Sequence, residues 1–153
     1  MARIDDIPEP TRTVVRDLPI TPVGATAFVA GPPLAQRRVA LVSSAALYRR
    51  GEAPFLPGSG EHRVLPAGLA PGEILMSHVS INFDRSGWQR DHNVAYPVDR
   101  LRELAGAGEI GSVAQTHYSV MGSTDPQAMA ASAEAIAARM RAEGVGGAVL
   151  IPV

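Results

Sequence analysis

The sequence predicts an α/β fold: a single domain with a mostly parallel sheet flanked by helices, preceded by an extended, proline-rich N-terminal arm. Short apolar runs rich in β-branched residues are typical of buried strands, and in the second half of the chain they alternate with capped helical patterns. A helix between two such strands implies parallel pairing through a right-handed crossover. The length of 153 residues is that of one domain.

The predicted arm covers residues 1–37, and the predicted domain covers residues 38–153. Prolines recur along the arm. Because proline fixes φ and has no backbone N–H to donate, we expect extended chain there and no regular element. The apolar stretch "ITPVGATAFVA" within the arm is expected to pack on the domain or on a partner subunit.

Strands are predicted near residues 39–43, 75–82, 112–118 and 147–151. The first and last are short apolar runs, "VALV" and "GAVLI". The second, "ILMSHVSINFD", alternates polar and apolar residues with the period of a strand. The third, "IGSVAQTHYSV", follows a helical segment that ends in glycine.

Helices are predicted over "PVDRLRELAGAG" and over residues 126–142, while "RSGWQRDHN" is expected to be a loop. Thr124 or Asp125 can cap the second helix, Pro126 fits its first turn and Gly144 fits its end. An apolar stripe recurs along that helix at one face, formed by Met129, Ala133, Ile136 and Met140.

Composition excludes several classes of function. A net charge of −1 implies no broad attraction to nucleic acid or to an anionic membrane. The chain has no cysteine and no lysine, which excludes a disulfide framework, a cysteine nucleophile, a Schiff-base lysine and a P-loop lysine within these residues. No apolar run approaches the ~20 residues of a membrane helix, and the N-terminus lacks the apolar core of a signal peptide. We therefore expect a cytoplasmic protein.

The polar side of "SHVSINFD" is the first candidate site. His78, Ser80, Asn82 and Asp84 would point to one side of a strand, and together they supply donors, acceptors and a titratable imidazole. A solvent-facing strand edge is the plain alternative for this pattern.

Three further positions are weaker candidates. His117 lies near the end of a predicted strand, where side chains of α/β proteins reach the active-site crevice. Asp91 and His92 are adjacent in a predicted loop. Ser123 and Thr124 precede a helix whose free N–H groups could hold an anion, although ordinary capping explains them equally well. A metal site is the alternative for these side chains, since His78, Asp84, Asp91, His92 and His117 could supply nitrogen and oxygen ligands. No histidine pair has the i,i+4 spacing of a helical metal motif, so no metal ligand is assigned.

A long stretch of the sequence resembles a known family. The runs "SHVSINFDR" and "PVDRLRELAGAGEIG", and the final helix and strand ending in "PV", are similar to the selenoprotein B family of glycine/sarcosine/betaine reductase and D-proline reductase. The likeness is closest to the short stand-alone members and runs from about Arg38 to Val153.

The resemblance implies a reductive cleavage of a C–N bond in a small amino-acid-like or betaine-like substrate. The family carries a selenocysteine or cysteine directly after its last strand, so selenocysteine is expected just after Val153. The chain would then be truncated, inactive as given, without its own redox residue, and lacking the C-terminal part of its domain. The implied catalytic residues are His78, His117 and Asp84, since imidazoles can lower the pKa of the nucleophile or protonate the leaving amine. The other candidates from the residue pattern are expected to bind the substrate: Ser80, Asn82, Asp91, His92, Ser123 and Thr124.

The resemblance also implies partners: a small-molecule substrate, and either a second reductase subunit or a thiol electron donor. We expect a homo-oligomer that binds neither nucleic acid nor membrane. Two other readings stay open at this point. One is a metal-dependent hydrolase or isomerase that uses the His/Asp cluster, and the other is a non-catalytic, oligomeric binding domain.

Overall fold

Seven strands and four α-helices make up the described part of the chain, which is residues 3–17, 29–80 and 83–153 of a computed structural model. The strands are β1 (Arg38–Ser43), β2 (Leu47–Arg49), β3 (His62–Pro66), β4 (Ile74–Met76), β5 (Ser112–Val113), β6 (Thr116–Val120) and β7 (Val145–Ile151). The helices are α1 (Thr11–Arg16), α2 (Arg85–Arg90), α3 (Val98–Gly106) and α4 (Ala130–Ala142). Within these ranges no helix is both long enough and apolar enough to cross a bilayer.

The central strand of the main sheet is β1. Along its length it pairs in parallel with β7, from Arg38 opposite Val145 to Ser43 opposite Ile151. On its other side it pairs in parallel with β5 near its start and with β6 near its end. The outer strand β3 is antiparallel to β6. The sheet is therefore mostly parallel, which confirms the predicted fold class, and β1, β6 and β7 all end at the same edge.

One face of the sheet carries the main core. Val39 and Leu41 of β1 lie on this face, because alternate residues of a strand share a face. Tyr96 and Leu101, from α3 and the turn before it, pack against them and are buried. These residues shield β1 from water on that side, which explains why the strand is apolar.

The opposite face is covered by α4, and less completely. The predicted stripe of α4 does face the sheet, but of its four members only Ile136 is fully buried. An apolar groove of about 440 Å³ remains between the helix and the strands. Its strand side is formed by Val42, Val120, Ala148 and Leu150, and the Leu150 side chain is 71% exposed.

The predicted strand over residues 75–82 is wrong beyond Met76. Only β4 is formed, and it pairs antiparallel with β2 in a separate two-stranded sheet. The strand ends before Ser77, whose amide and hydroxyl both donate to the carbonyl oxygen of Ala46, at 3.0 and 3.1 Å. The Ser77 hydroxyl also accepts from the Phe55 amide at 3.0 Å. Side-chain bonds of this kind compete with a strand ladder. Residues 81–82 lie outside the described part.

Two predictions of irregular chain are also wrong. Instead of a loop, "RSGWQR" forms α2, which Asp84 caps by accepting from the Ser86 amide at 2.8 Å. The arm is not extended throughout, since α1 lies within it, and the Glu9 carboxylate accepts from the amide and hydroxyl of Thr13 in that helix. Most of the apolar stretch of the arm, residues 20–28, lies outside the described residues. The predicted helices over α3 and over residues 126–142 are confirmed, the second beginning as a 3₁₀ turn at Pro126–Met129.

Candidate functional site

At the carboxyl edge of the main sheet, Ser44 connects the chain segments that follow the parallel strands. This residue directly follows β1. Its amide donates to the carbonyl oxygen of Ile151 at 3.0 Å, and its hydroxyl accepts from the amide of Val153 at 2.9 Å. Its carbonyl oxygen accepts from the amide of Gly122, which follows β6, at 2.8 Å. The chain segments leaving the three parallel strands are thus fixed against one another. In open α/β sheets this edge is where ligands bind.

His78 is the buried titratable side chain at this edge. It follows β4, and only 4% of the residue is exposed. Its Nδ1 atom accepts from the Ser80 amide at 3.2 Å, so the neutral imidazole carries its proton on Nε2. Among the residues that the structure describes, Nε2 has no hydrogen-bond partner. A buried N–H donor without an acceptor is costly in a folded protein and calls for an explanation.

Gly122 allows the imidazole to lie where it does. A methyl group on Gly122 would be 2.7 Å from His78 Nε2, 2.9 Å from the Ser44 carbonyl oxygen and 3.2 Å from the Val153 carbonyl oxygen. These three atoms therefore surround a single point that only a glycine leaves open. The geometry places the Nε2–H of His78 beside the segment through which the chain leaves β7.

Phe83 and Arg85 surround the loop that carries His78. The Phe83 ring lies 5.6 Å from the imidazole, measured between ring centroids. The Arg85 Nη2 atom donates to the carbonyl oxygens of His78 and Ser80, at 2.6 and 3.3 Å. Arg85 thereby holds the backbone at His78 and Ser80, while Phe83 contacts the imidazole ring itself.

Asp84 and Asn82 are two further residues predicted for the site, and the structure describes the first of them. Asp84 caps α2, and its carboxylate accepts from the Ser86 hydroxyl at 3.0 Å as well as from the amide. These hydrogen bonds hold the pKa of Asp84 below its ordinary value, so the group is ionised at neutral pH. In the described contacts nothing joins Asp84 to the imidazole of His78. Asn82 lies outside the described residues.

His117 occupies a different environment from His78. It is fully buried within β6, three residues before that strand ends, and its ring meets Tyr96 edge-on at 5.6 Å. Its Nδ1 atom accepts from the Leu41 amide at 3.1 Å. Leu41 lies between the β1 residues that pair with β5 and those that pair with β6, so the imidazole takes the place of a backbone carbonyl group as hydrogen-bond acceptor. Burial lowers the pKa of His117 to about 4, with Glu143 opposing the shift and Arg102 adding to it. The imidazole is therefore neutral at pH 7, and a crevice shared with His78 stays a prediction.

Asp91 and His92 belong to a second polar group, near α3. Asp91 caps a 3₁₀ turn by accepting from the Asn93 amide at 2.9 Å, and this bond keeps the pKa of Asp91 below its ordinary value. His92 Nε2 lies 3.0 Å from an Asp99 carboxylate oxygen, and the other oxygen accepts from Arg102 at 2.6 Å. His92 borders a cavity of about 280 Å³, so this group could contact a ligand separately from His78.

Ser123 and Thr124 continue directly from Gly122. Ser123 has a φ of 61°, a left-handed conformation that non-glycine residues seldom adopt. Thr124 is buried, and its hydroxyl donates to the Ser59 carbonyl oxygen at 3.3 Å. Backbone strain of this kind occurs often beside functional sites, where the surrounding structure maintains it. The helix that follows is capped by Asp125, the second of the two predicted caps.

Sequence reasoning missed three residues of this edge: Ser44, Gly122 and Arg85. Ser44 directly follows β1, and Gly122 follows β6 after one residue; that position alone could have marked them. Arg85 gave no comparable signal, because its contact with His78 depends on α2 being a helix. In the described ranges no group of three or more His, Asp or Glu side chains could hold a metal ion.

Comparison with known proteins finds similarity to a family of reductase subunits. The family model described as glycine/sarcosine/betaine reductase selenoprotein B matches residues 72–152. The chain is also 29% identical over 147 residues to the D-proline reductase subunit gamma of Acetoanaerobium sticklandii, an alignment that covers 90% of this chain and 60% of that protein. The chain thus spans about 60% of the length of this relative. No solved structure matches. The matched segment contains His78, Arg85, His117 and Gly122, and it ends just after β7.

Proposed function

Because the chain belongs to the glycine/sarcosine/betaine reductase selenoprotein B family, we propose that it is the subunit in which a C–N bond of a small amino acid or betaine is reductively cleaved. The reaction consumes two electrons and two protons, and it converts the C–N bond into a C–H and an N–H bond. We propose that the electrons come from a selenolate or thiolate that follows Val153, acting with a second thiol, and that the pair ends as a selenenyl sulfide or a disulfide. Such a group supplies the nucleophile.

The observation that carries this proposal is the buried Nε2–H of His78 beside the exit of β7. An anionic chalcogen suits a desolvated donor that lacks an acceptor, since a hydrogen bond to the charged form of a group lowers its pKa. The same Nε2–H can donate a hydrogen bond to the departing nitrogen. Ser44 contributes by holding the Val153 amide, which fixes the direction in which the chain leaves the sheet.

The donor role fits His78 better than His117, because His78 Nε2 lies beside Gly122 at the exit of β7, whereas the His117 ring lies within β6 against Tyr96. The His117 Nδ1 atom accepts from the Leu41 amide of β1. We therefore propose that His117 supports the site by holding β6 against β1. Its hydrogen bond closes the ladder between those strands, and the ladder sets where Gly122 lies.

We also propose that the subunit works with a partner reductase subunit and a thiol electron donor, in the cytoplasm. The relative that aligns with the chain is itself named as a subunit, which supports a multi-subunit assembly. The uncharged strand β7 has β1 as its only strand partner among the described residues, and Leu150 on it is exposed. An uncovered edge of this kind favours further association, including self-association.

The test is to extend the chain with a cysteine placed directly after Val153 and to follow its alkylation rate against pH. We expect a thiol pKa below the ordinary ~8.5, and a rise in that pKa when His78 is changed to Asn. His62→Asn is the matched control, because it removes an imidazole that is bonded to Ser132 instead. We further expect the extended chain, mixed with a dithiol and a partner subunit, to open the ring of D-proline to 5-aminopentanoate or to release trimethylamine from glycine betaine. A thiol with ordinary reactivity, unchanged by His78→Asn, would favour the binding-domain reading.

A further inference from the structure

Arg85 presents a positive charge beside the backbone of the loop that carries His78. We propose that this guanidinium binds the carboxylate of the substrate and so selects amino acids and betaines, an inference that rests on the proposed function. The residue is exposed and therefore accessible to a ligand. It is also within the part of the chain that the family model matches.

The guanidinium is fixed relative to His78 by its own hydrogen bonds. Its Nη2 atom donates to the His78 carbonyl oxygen at 2.6 Å and to the Ser80 carbonyl oxygen at 3.3 Å. An arginine has five N–H donors in a rigid fork. Anchoring through a single nitrogen therefore leaves donors on Nε and Nη1, for which the described residues provide no acceptor.

The charge of Arg85 is not neutralised by the described residues. None of their carboxylates forms an ion pair with it, and the adjacent Asp84 is bonded to the amide and hydroxyl of Ser86. Other arginines do have acidic partners: Arg102 contacts Asp99 at 2.6 Å. A cation held in place on the loop that carries His78, with no counterion among the described residues, is suited to bind an anionic ligand.

A carboxylate is the anion that the family substrates share. Glycine, sarcosine, betaine and proline differ at nitrogen, whereas each carries a carboxylate one carbon away from it. Arginine recognises carboxylates through two parallel N–H···O bonds, which fix orientation as well as charge. A substrate held this way by Arg85 would have its nitrogen close to the loop that carries His78. The carboxylate would then be the common handle, and the nitrogen substituents would be read elsewhere.

The test uses the 153-residue chain and compares two ligands that differ in charge, D-proline and D-prolinamide. Binding is followed by calorimetry and by chemical-shift changes of the His78 imidazole. We expect the parent chain to prefer D-proline. In Arg85→Gln, which loses the charge but keeps a side-chain N–H donor, we expect D-proline affinity to fall about tenfold or more while D-prolinamide binding is unchanged. Arg85→Lys, which keeps the charge without the fork, should fall between the two. Arg141→Gln, an equal loss of charge on α4, should bind like the parent.

Three results would overturn the assignment of Arg85. They are a parent chain that does not prefer D-proline, an Arg85→Gln variant with parental affinity, and equal losses for both ligands, which would indicate a distorted loop. The thiol assay of the extended chain reports on the reductase proposal separately. A lowered thiol pKa that depends on His78, together with unchanged D-proline binding in Arg85→Gln, would retain the reductase and reject this role for Arg85.

Discussion

Gly122→Ala tests whether the carboxyl edge is as closely packed as the geometry indicates. The new methyl group would lie 2.7 Å from His78 Nε2 and 2.9 Å from the Ser44 carbonyl oxygen. Carbon atoms do not approach other heavy atoms so closely, so either the imidazole or the backbone after β1 must move. The backbone atom cannot move easily, because Ser44 is bonded to Ile151 as well as to Gly122. Overpacking of this kind costs about 1–3 kcal/mol.

The magnitude can be read from thermal and urea unfolding. For a chain of this size each kcal/mol shifts Tm by about 2–4 °C, so Gly122→Ala should lower Tm by roughly 2–12 °C. Gly106→Ala is the matched control, since a methyl group at the end of α3 meets no atom within 4 Å. There the same change should stabilise the protein by about 0.4–1 kcal/mol. If both variants unfold like the parent, Gly122 is not in contact with His78 and the proposed edge site loses its geometry.

Two further predictions concern buried groups on the α3 side of the sheet. Burial lowers the pKa of His117 in the folded chain to about 4 from 6.5, so the unfolded chain takes up a proton first as pH falls. Stability should therefore be complete above pH 6.5 and decline towards pH 4, by up to about 1.4 kcal/mol per pH unit. His117→Asn, which keeps an acceptor for the Leu41 amide, should flatten that decline in urea titrations at each pH. Tyr96→Phe should be neutral or stabilising, because burial raises the pKa of this phenol and its hydroxyl has no partner among the described residues. A loss of about 1 kcal/mol or more in the same assay would reveal a partner for that hydroxyl.

Local sequence signals were enough for the parts of the fold that depend on local physics. We could predict β1 and β7 from their apolar runs and α4 from its capping residues. In each case the signal lies in residues that are consecutive in the sequence. The "SHVSINFD" prediction failed because alternation is only a possible strand pattern, and Ser77 bonds the backbone of Ala46 instead. The short helix α2 was missed because six residues are too few to give a periodic pattern.

The site was predictable only in part for a related reason. His78 could be recognised from its neighbours in sequence, but its surroundings could not. Gly122 and Ser44 come to it from strands 44 and 34 positions away, and their approach depends on which strands are adjacent in the sheet. Sequence alone identified the chemical groups, and strand order determined which of them meet.

The two faces of the sheet are covered to different extents, so they should differ in the free energy of local opening. On one face α4 contributes a single fully buried apolar side chain, Ile136, and leaves the groove beside it. On the other face Ile151 and Val153 pack against the same core as α3. Segments with little buried apolar surface open at lower free energy than the rest of a fold. The helix α4 can therefore detach transiently while the edge around His78 keeps its arrangement. Local opening is thus confined to the α4 side of the sheet.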